Sequence, residues 1–182
     1  MINNLLKGKK IAMIIAFSDF RDEELFIPRS IFFGEGAEVS LASVKTGQAL
    51  GAYGGVANVD ILLHNLDASR FDAVIFVGGA GAHGYIEDEN CWKIVRNALE
   101  QNKVVGAICV APAILARAGV LKRKKATVWS NNMDKSLVKI LKEEGVYYET
   151  APVVVDGNIV TANGPEAARK FGEAIVRVLT GK

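Results

Sequence analysis

Side chains that bind structural metals or form disulfides are scarce in this chain of 182 residues. It has two cysteines and two histidines, and no Cys-x-x-Cys or His-x-x-x-His spacing occurs. Two cysteines cannot build the disulfide framework of a secreted domain, and single scattered ligands argue against a structural zinc site. The scarcity therefore favours a reducing, cytoplasmic compartment, and we expect no metal and no organic cofactor.

The chain also lacks a large excess of charge of one sign and long apolar runs. The 22 basic and 20 acidic side chains give a net charge of +2, and the basic run 122–125 is typical of a solvated turn. The sequence has no basic stripe that would indicate a nucleic-acid partner. No apolar run approaches the roughly 20 residues that cross a bilayer, and no signal-peptide pattern opens the chain. We therefore expect neither nucleic acid nor a membrane as a partner.

Apolar segments of two kinds fill the remaining sequence, because half of the residues are hydrophobic. Continuous apolar runs predict strands over 9–17, 72–77 and 103–108, alternation predicts a strand over 37–44, and a further strand is predicted near 126–129. Helical periodicity predicts helices over 22–36, through 94–99, after Pro112, through 137–141 and through 168–179. Hairpins are predicted over 46–60 and 152–162, the second with an Asp-Gly turn. This alternation predicts one α/β domain over 1–182, a flavodoxin-like doubly wound, mostly parallel sheet with helices on both faces.

Cys109 lies between a predicted buried strand and the helix that starts at Pro112. Free N–H groups and the dipole at a helix start favour a thiolate, which predicts a pKa below the usual value of about 8.5. A small cysteine buried in the core is the alternative interpretation. Ligands of doubly wound folds bind outside the carboxyl ends of the strands, where we expect the loops 18–24, 78–84 and 109–112 to converge.

Four motifs in these loops and near the end of the chain resemble the ThiJ/PfpI superfamily, also called the DJ-one family. They are DFRDEELFIP (19–28), FDAVIFVGGAGA (71–82), AICVAP (107–112) and TANGPEAA (161–168). The resemblance covers about residues 9–180. It implies that Cys109 is the family's nucleophile and that Glu24 is the glutamate that hydrogen-bonds the sulfur. Glu24 would have to be protonated to donate, so its pKa should be raised; a solvated helix charge is the alternative.

The resemblance also assigns the surroundings of the nucleophile. Gly78 and Gly79 match glycines whose amides, with the N–H of Val110, form an oxyanion hole, although a tight turn alone would also explain both glycines. Gly164 and Pro165 match a loop that walls the pocket.

Two departures from the family pattern concern histidine. PfpI-type peptidases have a histidine directly after the cysteine, where this chain has Val110, so the chain is closer to the branch without it. Trp129 stands where some members carry a histidine. His83 matches a position from which some members present a carboxylate across a subunit interface. It could serve as general base to Cys109, or it could be a surface histidine.

The resemblance implies an enzyme that acts on small reactive carbonyls, a glutathione-independent glyoxalase or deglycase that converts methylglyoxal to lactate. Cys109 would be its nucleophile and Glu24 its proton shuttle. The alternatives are a PfpI-type intracellular cysteine peptidase or amidase, and a stress protein that senses oxidants through Cys109. Family members are usually homodimers or larger assemblies, so we expect a homo-oligomer.

Overall fold

The computed structural model describes residues 4–181, which form twelve strands and five α-helices. The strands are β1 Lys10–Ile14, β2 Ser18–Phe20, β3 Glu38–Ser43, β4 Gly47–Gly51, β5 Val56–Val59, β6 Ile61–Leu62, β7 Ala73–Phe76, β8 Val104–Ile108, β9 Lys125–Ala126, β10 Tyr147–Tyr148, β11 Val153–Asp156 and β12 Ile159–Ala162. The helices are α1 Asp22–Gly34, α2 Glu89–Glu100, α3 Pro112–Arg117, α4 Ser136–Glu143 and α5 Ala168–Thr180.

Seven strands form the central sheet in the order β11-β12-β8-β7-β1-β3-β6. All neighbouring pairs are parallel except β11 and β12, which form the predicted hairpin. Strands β1, β7 and β8 are almost wholly buried, as their continuous apolar sequences require when both faces of a sheet are covered. The order of the five long parallel strands is the 2-1-3-4-5 order of flavodoxin-like folds, which confirms the predicted fold class.

Helices pack in two groups against this sheet. Helices α1 and α5 pack on each other, and α5 also contacts β8 and β12. Helices α2, α3 and α4 form the second group, with α2 and α3 on β8. Gly172 of α5 permits the close approach to α1, because a Cβ there would lie 2.9 Å from Ile31 Cδ1 and 3.2 Å from Pro28 Cα. Within residues 4–181, no helix is both long and apolar enough to cross a membrane.

Two short sheets complete the fold. The predicted hairpin over 46–60 is the antiparallel pair β4–β5, and β2 adds to it in a three-stranded sheet. Residues 18–20 therefore form a short strand where the sequence predicts only a loop, because the edge of β4 is open to pairing with them. The strand expected near 126–129 is reduced to β9, which pairs with β10 alone.

Candidate active site

The candidate site lies where the order of the parallel strands reverses. Strand β1 has β3 on one side and β7 on the other, so the connections that leave β1 and β7 diverge to opposite faces of the sheet. The loops after β1, β7 and β8 meet in this crevice, as the sequence predicts.

Cys109 follows β8 directly and has a φ of +64°, a left-handed conformation that is strained for a residue with a side chain. Two backbone hydrogen bonds hold it there. Its N–H donates to the Ala162 carbonyl at 2.9 Å, and its carbonyl accepts from the Trp129 N–H at 2.8 Å. The chain therefore turns sharply at Cys109, between β8 and α3. The residue is 8% exposed, which places its side chain at the floor of a cavity.

Glu24 is fully buried in the first turn of α1. Its Oε2 accepts the Gly78 N–H at 3.0 Å. The carboxyl group and the Cys109 side chain are close neighbours across Gly78, and each alters the pKa of the other. Oε1 has no hydrogen-bond partner among residues 4–181. Glu24 is therefore not a solvated helix charge but a buried carboxyl group that faces the sulfur.

Glycine is required at the two positions that bring these side chains together. A Cβ on Gly78 would overlap Glu24 Oε2 and lie 2.5 Å from the Cys109 Cβ. Gly79 has a φ of +110°, and a Cβ there would overlap the backbone at Asp19 and Arg21. The Gly78 N–H is engaged by Glu24, which differs from the free oxyanion donor that the resemblance implies. It holds the carboxyl group in place instead.

The N–H groups of Gly79 and Val110 act on the sulfur itself. Both lie near the sulfur and lower the pKa of the Cys109 thiol. These two amides are therefore available to stabilise negative charge that develops on or beside the sulfur.

The pKa values of the buried pair show how it shares protons. Burial raises the pKa of Glu24 to about 7, although the neighbouring Cys109 thiol and the Gly78 N–H oppose the rise. Burial, followed by the negative charge of Glu24, raises the pKa of Cys109 to about 12. The expectation of a lowered thiol pKa is therefore wrong, because burial outweighs the amide donors. The pair titrates as a unit: above about pH 7 it holds one proton, and sulfur ionises only when that proton moves to Glu24.

The cavity over this pair has a volume of about 370 Å³. Much of its wall is apolar, and His83 lies at its exposed rim. The lining residues are Arg21, Glu24, Ala52, Tyr53, Gly79, Ala80, His83, Cys109, Val110, Trp129 and Pro165. Pro165 thus walls the cavity as expected. Gly164 lines an adjoining cavity of about 280 Å³ that shares Trp129 and Pro165 with the first.

Sequence reasoning did not assign Arg21 and Trp129 to this wall. Arg21 precedes α1, and its guanidinium carbon lies 4.4 Å from the centre of the Tyr53 ring. Trp129 reaches the cavity because its backbone is hydrogen-bonded to Cys109, a contact 20 residues apart that no local pattern reveals. The only signal in the sequence is the position of Arg21 directly before the acidic residues Asp22 and Glu23. That position does not indicate what Arg21 does in the cavity wall.

Cys91 has none of this environment. It is fully buried in the first turn of α2, where the Asp88 side chain caps the helix by accepting the N–H groups of Asn90 and Cys91. It lines neither the cavity over Cys109 nor the one that adjoins it. Cys91 is therefore a packing residue.

A larger depression of about 730 Å³ lies at the opposite edge of the sheet, near the amino ends of β1 and β3. Its lining includes Lys10, Glu38, Asp60 and Arg70 but no cysteine or histidine. Within residues 4–181, no group of three or more histidine, cysteine, aspartate or glutamate side chains is arranged to hold a metal ion. The nucleophilic chemistry is thus concentrated in the smaller cavity.

Comparison with known proteins agrees with this geometry. The model of the DJ-1/PfpI family matches residues 9–178. The chain belongs to the DJ-1/PfpI family. It is 38% identical over 175 residues to an uncharacterized protein of Methanocaldococcus jannaschii, covering 96% of this chain and 84% of that protein. It is 35% identical to a deglycase of Thermococcus kodakarensis, covering 92% and 98% of the two chains.

A solved structure extends the likeness to three dimensions. The ThiJ/PfpI domain protein of Brachyspira murdochii superimposes with a TM-score of 0.88 at 34% identity, over 95% of this chain and 97% of that one. The resemblance that the four motifs indicate is thereby confirmed for the family and the fold.

Proposed function

We propose that this protein is a cysteine-dependent enzyme that converts small 2-oxoaldehydes to 2-hydroxy acids, with methylglyoxal and lactate as the model pair. One observation carries the proposal: a nucleophilic sulfur and a buried carboxyl group, whose pKa is about 7, meet at the floor of one small cavity. A carboxyl group with that pKa can both accept and return a proton near neutrality. The deglycase of Thermococcus kodakarensis adds support from a relative.

The first step is addition of sulfur to the aldehyde. The Cys109 S–H proton passes to the Glu24 carboxylate as the sulfur bonds to the aldehyde carbon, and the carbonyl electron pair moves to oxygen. Glu24 returns the proton to that oxygen, which gives a hemithioacetal. The N–H groups of Gly79 and Val110 stabilise the transient oxyanion.

The second step moves hydrogen between carbons. Glu24 removes the C1 proton, and the electron pair forms a C1=C2 bond while the C2 carbonyl becomes an enolate. Glu24 then delivers the proton to C2, and the C1 hydroxyl proton moves to the C2 oxygen. The product is a 2-hydroxyacyl thioester of Cys109.

Water completes the cycle. It attacks the thioester carbonyl, the carbon–sulfur bond breaks, and the sulfur recovers a proton. Methylglyoxal and water together have the composition of lactic acid, so no oxidant or reductant enters. Each step uses Cys109, Glu24 or the two amides, and none needs His83.

The test is turnover of methylglyoxal in D₂O, followed by NMR. We expect the wild-type protein and Cys91→Ser to form lactate and Cys109→Ser to form none. A proton that passes through Glu24 exchanges with solvent, so the lactate should carry deuterium at C2. Lactate formation that persists in Cys109→Ser would contradict the proposal.

Amide hydrolysis is the second candidate, because His83 lines the same cavity as Cys109. An amine leaving group must be protonated, usually by a histidine. His83 is exposed, and Val110 occupies the position after the nucleophile. We therefore expect aminoacyl-amide substrates to react far more slowly than 2-oxoaldehydes. Any amidase activity should disappear in His83→Ala, and robust activity that survives this change would contradict the assignment.

Oxidant sensing through Cys109 uses the same residues, because a neighbouring protonated carboxyl group can stabilise a sulfinate. It makes the opposite forecast for the NMR experiment: Cys109 would oxidise with no lactate formed. The homo-oligomer implied by the resemblance stays a prediction, which sedimentation of the purified chain would test.

A further inference from the structure

Arg21 gives the cavity a fixed positive charge. It is the one lysine or arginine among the eleven lining residues, and the wall around it includes Ala52, Ala80 and Val110. A guanidinium keeps its proton at all physiological pH values, so this charge does not depend on conditions. A neutral substrate such as methylglyoxal has no anionic group to pair with this charge.

The guanidinium is held by two neighbours. Its Nε donates to Glu23 Oε2 at 2.8 Å and its Nη2 donates to Glu23 Oε1 at 3.2 Å. Its Nη1 donates to the Tyr53 hydroxyl at 3.0 Å, and the group lies over the Tyr53 ring. The side chain is 29% exposed. The ion pair with Glu23 and the stacking on Tyr53 together fix the orientation of the guanidinium, and Arg21 lines the cavity.

Donor capacity remains after these contacts. A guanidinium has five N–H groups, and the described chain engages three of them, one on each nitrogen. The remaining two belong to Nη1 and Nη2. Paired N–H groups on the terminal nitrogens match the oxygens of a carboxylate or a phosphate, and such charge-assisted hydrogen bonds are strong.

The geometry points to Arg21 as a specificity-determining residue that binds an anionic group of the carbonyl substrate while the aldehyde carbon meets Cys109. The preferred substrates are then short 2-oxoaldehydes that carry a carboxylate or a phosphate, and methylglyoxal is a truncated analogue. This inference rests on the proposed function for the reacting end of the substrate. The anion preference itself is a property of the cavity and can be measured without turnover.

The first experiment compares two alkylating reagents of nearly equal shape, iodoacetate and iodoacetamide, which differ in charge. Both transfer a carbon to the Cys109 sulfur with loss of iodide, and mass spectrometry gives the two rates. We expect Arg21→Gln to lower the iodoacetate-to-iodoacetamide rate ratio by about 10-fold or more. Glu23→Gln should raise it by roughly 2- to 5-fold, because Arg21 loses its compensating charge.

Arg70→Gln is the matched control. It removes the same charge from an exposed arginine at the opposite edge of the sheet, so the ratio should stay at the wild-type value. A ratio that Arg21→Gln leaves unchanged, or that Arg70→Gln lowers equally, would overturn the inference.

The second experiment measures kcat/KM for three 2-oxoaldehydes that end in a methyl, a carboxylate or a phosphate group: 2-oxopentanal, 4,5-dioxopentanoate and 2-oxo-3-phosphooxypropanal. We expect the wild-type enzyme to prefer an anionic substrate by about 10-fold or more and Arg21→Gln to lose that preference. The better of the two anionic substrates identifies the group. Turnover without charge preference would overturn the role of Arg21 alone. An anion preference in alkylation without turnover would support Arg21 and contradict the proposed function.

Discussion

The two cysteines of this chain occupy similar local positions, yet only one has surroundings suited to chemistry. Both are buried near the start of a helix, and burial raises the thiol pKa of both. Cys91 meets a capping carboxylate and core side chains. Cys109 meets a buried carboxyl group, two amide donors and a cavity. A helix start alone therefore does not make a cysteine reactive; a nearby group that can take its proton does.

The partners of the two sites differ in the same way. An Asp88 side-chain oxygen caps α2 and stabilises the helix. The negative charge of Asp88 adds to burial in raising the pKa of the Cys91 thiol. Glu24 is fully buried, and its pKa of about 7 lets it gain or lose a proton under mild conditions. Substituting Glu24 or Asp88 separately therefore distinguishes the two sites.

The largest expected effect is on the pH dependence of turnover. Glu24 must be ionised to accept the Cys109 proton, so kcat/KM should rise as pH increases through about 7. Glu24→Gln should lower kcat/KM for methylglyoxal by roughly 100- to 10,000-fold and abolish this rise. Asp88→Asn beside Cys91 should leave the profile unchanged. A Glu24→Gln enzyme with the wild-type pH profile would remove Glu24 from the mechanism.

Stability should change in the opposite sense to activity. The Glu24 pKa is raised from 4.5 to about 7 on folding, so its contribution is fully present below pH 4.5 and is lost as pH rises through about 7. Glutamine resembles the protonated form. Glu24→Gln should therefore raise the free energy of unfolding at pH 8 by up to about 3 kcal/mol, and by little at pH 4.

Denaturant unfolding at the two pH values measures this difference. Asp88→Asn is the control, because asparagine also caps a helix and Asp88 is not buried like Glu24. A Glu24→Gln protein that is less stable than wild type at pH 8 would show that the buried carboxylate does not lower the free energy of unfolding.

A smaller effect is expected from the glycine that separates Glu24 and Cys109. Gly78→Ala forces a Cβ into Glu24 Oε2 and the Cys109 Cβ, so one of the two side chains must move. We expect kcat/KM to fall by roughly 10- to 100-fold, as misplaced reacting groups commonly cost. Gly84→Ala is the matched control, because a Cβ there has no atom within 4 Å. Equal losses in both variants would indicate a general structural effect.

The sequence was sufficient for the long strands and the helices of the central sheet, because their apolar patterns reflect two buried sheet faces, but it did not predict the short strands β2, β6 and β10. It also predicted that the three loops of the site meet at one edge of the sheet, because parallel strands have their carboxyl ends at the same edge. Glu24 emerged only through the family resemblance, because its burial depends on how α1 packs against the loop at Gly78. Arg21 lies in a loop that the sequence predicts at the site, and Tyr53 was a plausible residue of the pocket edge, but their contact with each other and the place of Trp129 in the wall became visible only in three dimensions.

The prediction of a lowered pKa for Cys109 was wrong for a specific physical reason. The strand-to-helix turn supplies amide groups that lower the thiol pKa, but the loss of water around the sulfur and the nearby Glu24 charge raise it by more. Helix α3 has six residues, so its dipole offers limited compensation. Desolvation is a property of the packed site, and no local sequence pattern measures it.

The most direct test of the Cys109–Glu24 pair is the alkylation rate of both cysteines by iodoacetamide between pH 5 and 9. Mass spectrometry follows each site in the wild-type protein and in Glu24→Gln. Cys109 should react much faster than Cys91 already at pH 6, and its rate should level off above about pH 7, where the pair holds one proton. Glu24→Gln should remove that plateau. Equal rates at the two cysteines, or a Cys109 profile that Glu24→Gln leaves unchanged, would contradict the account.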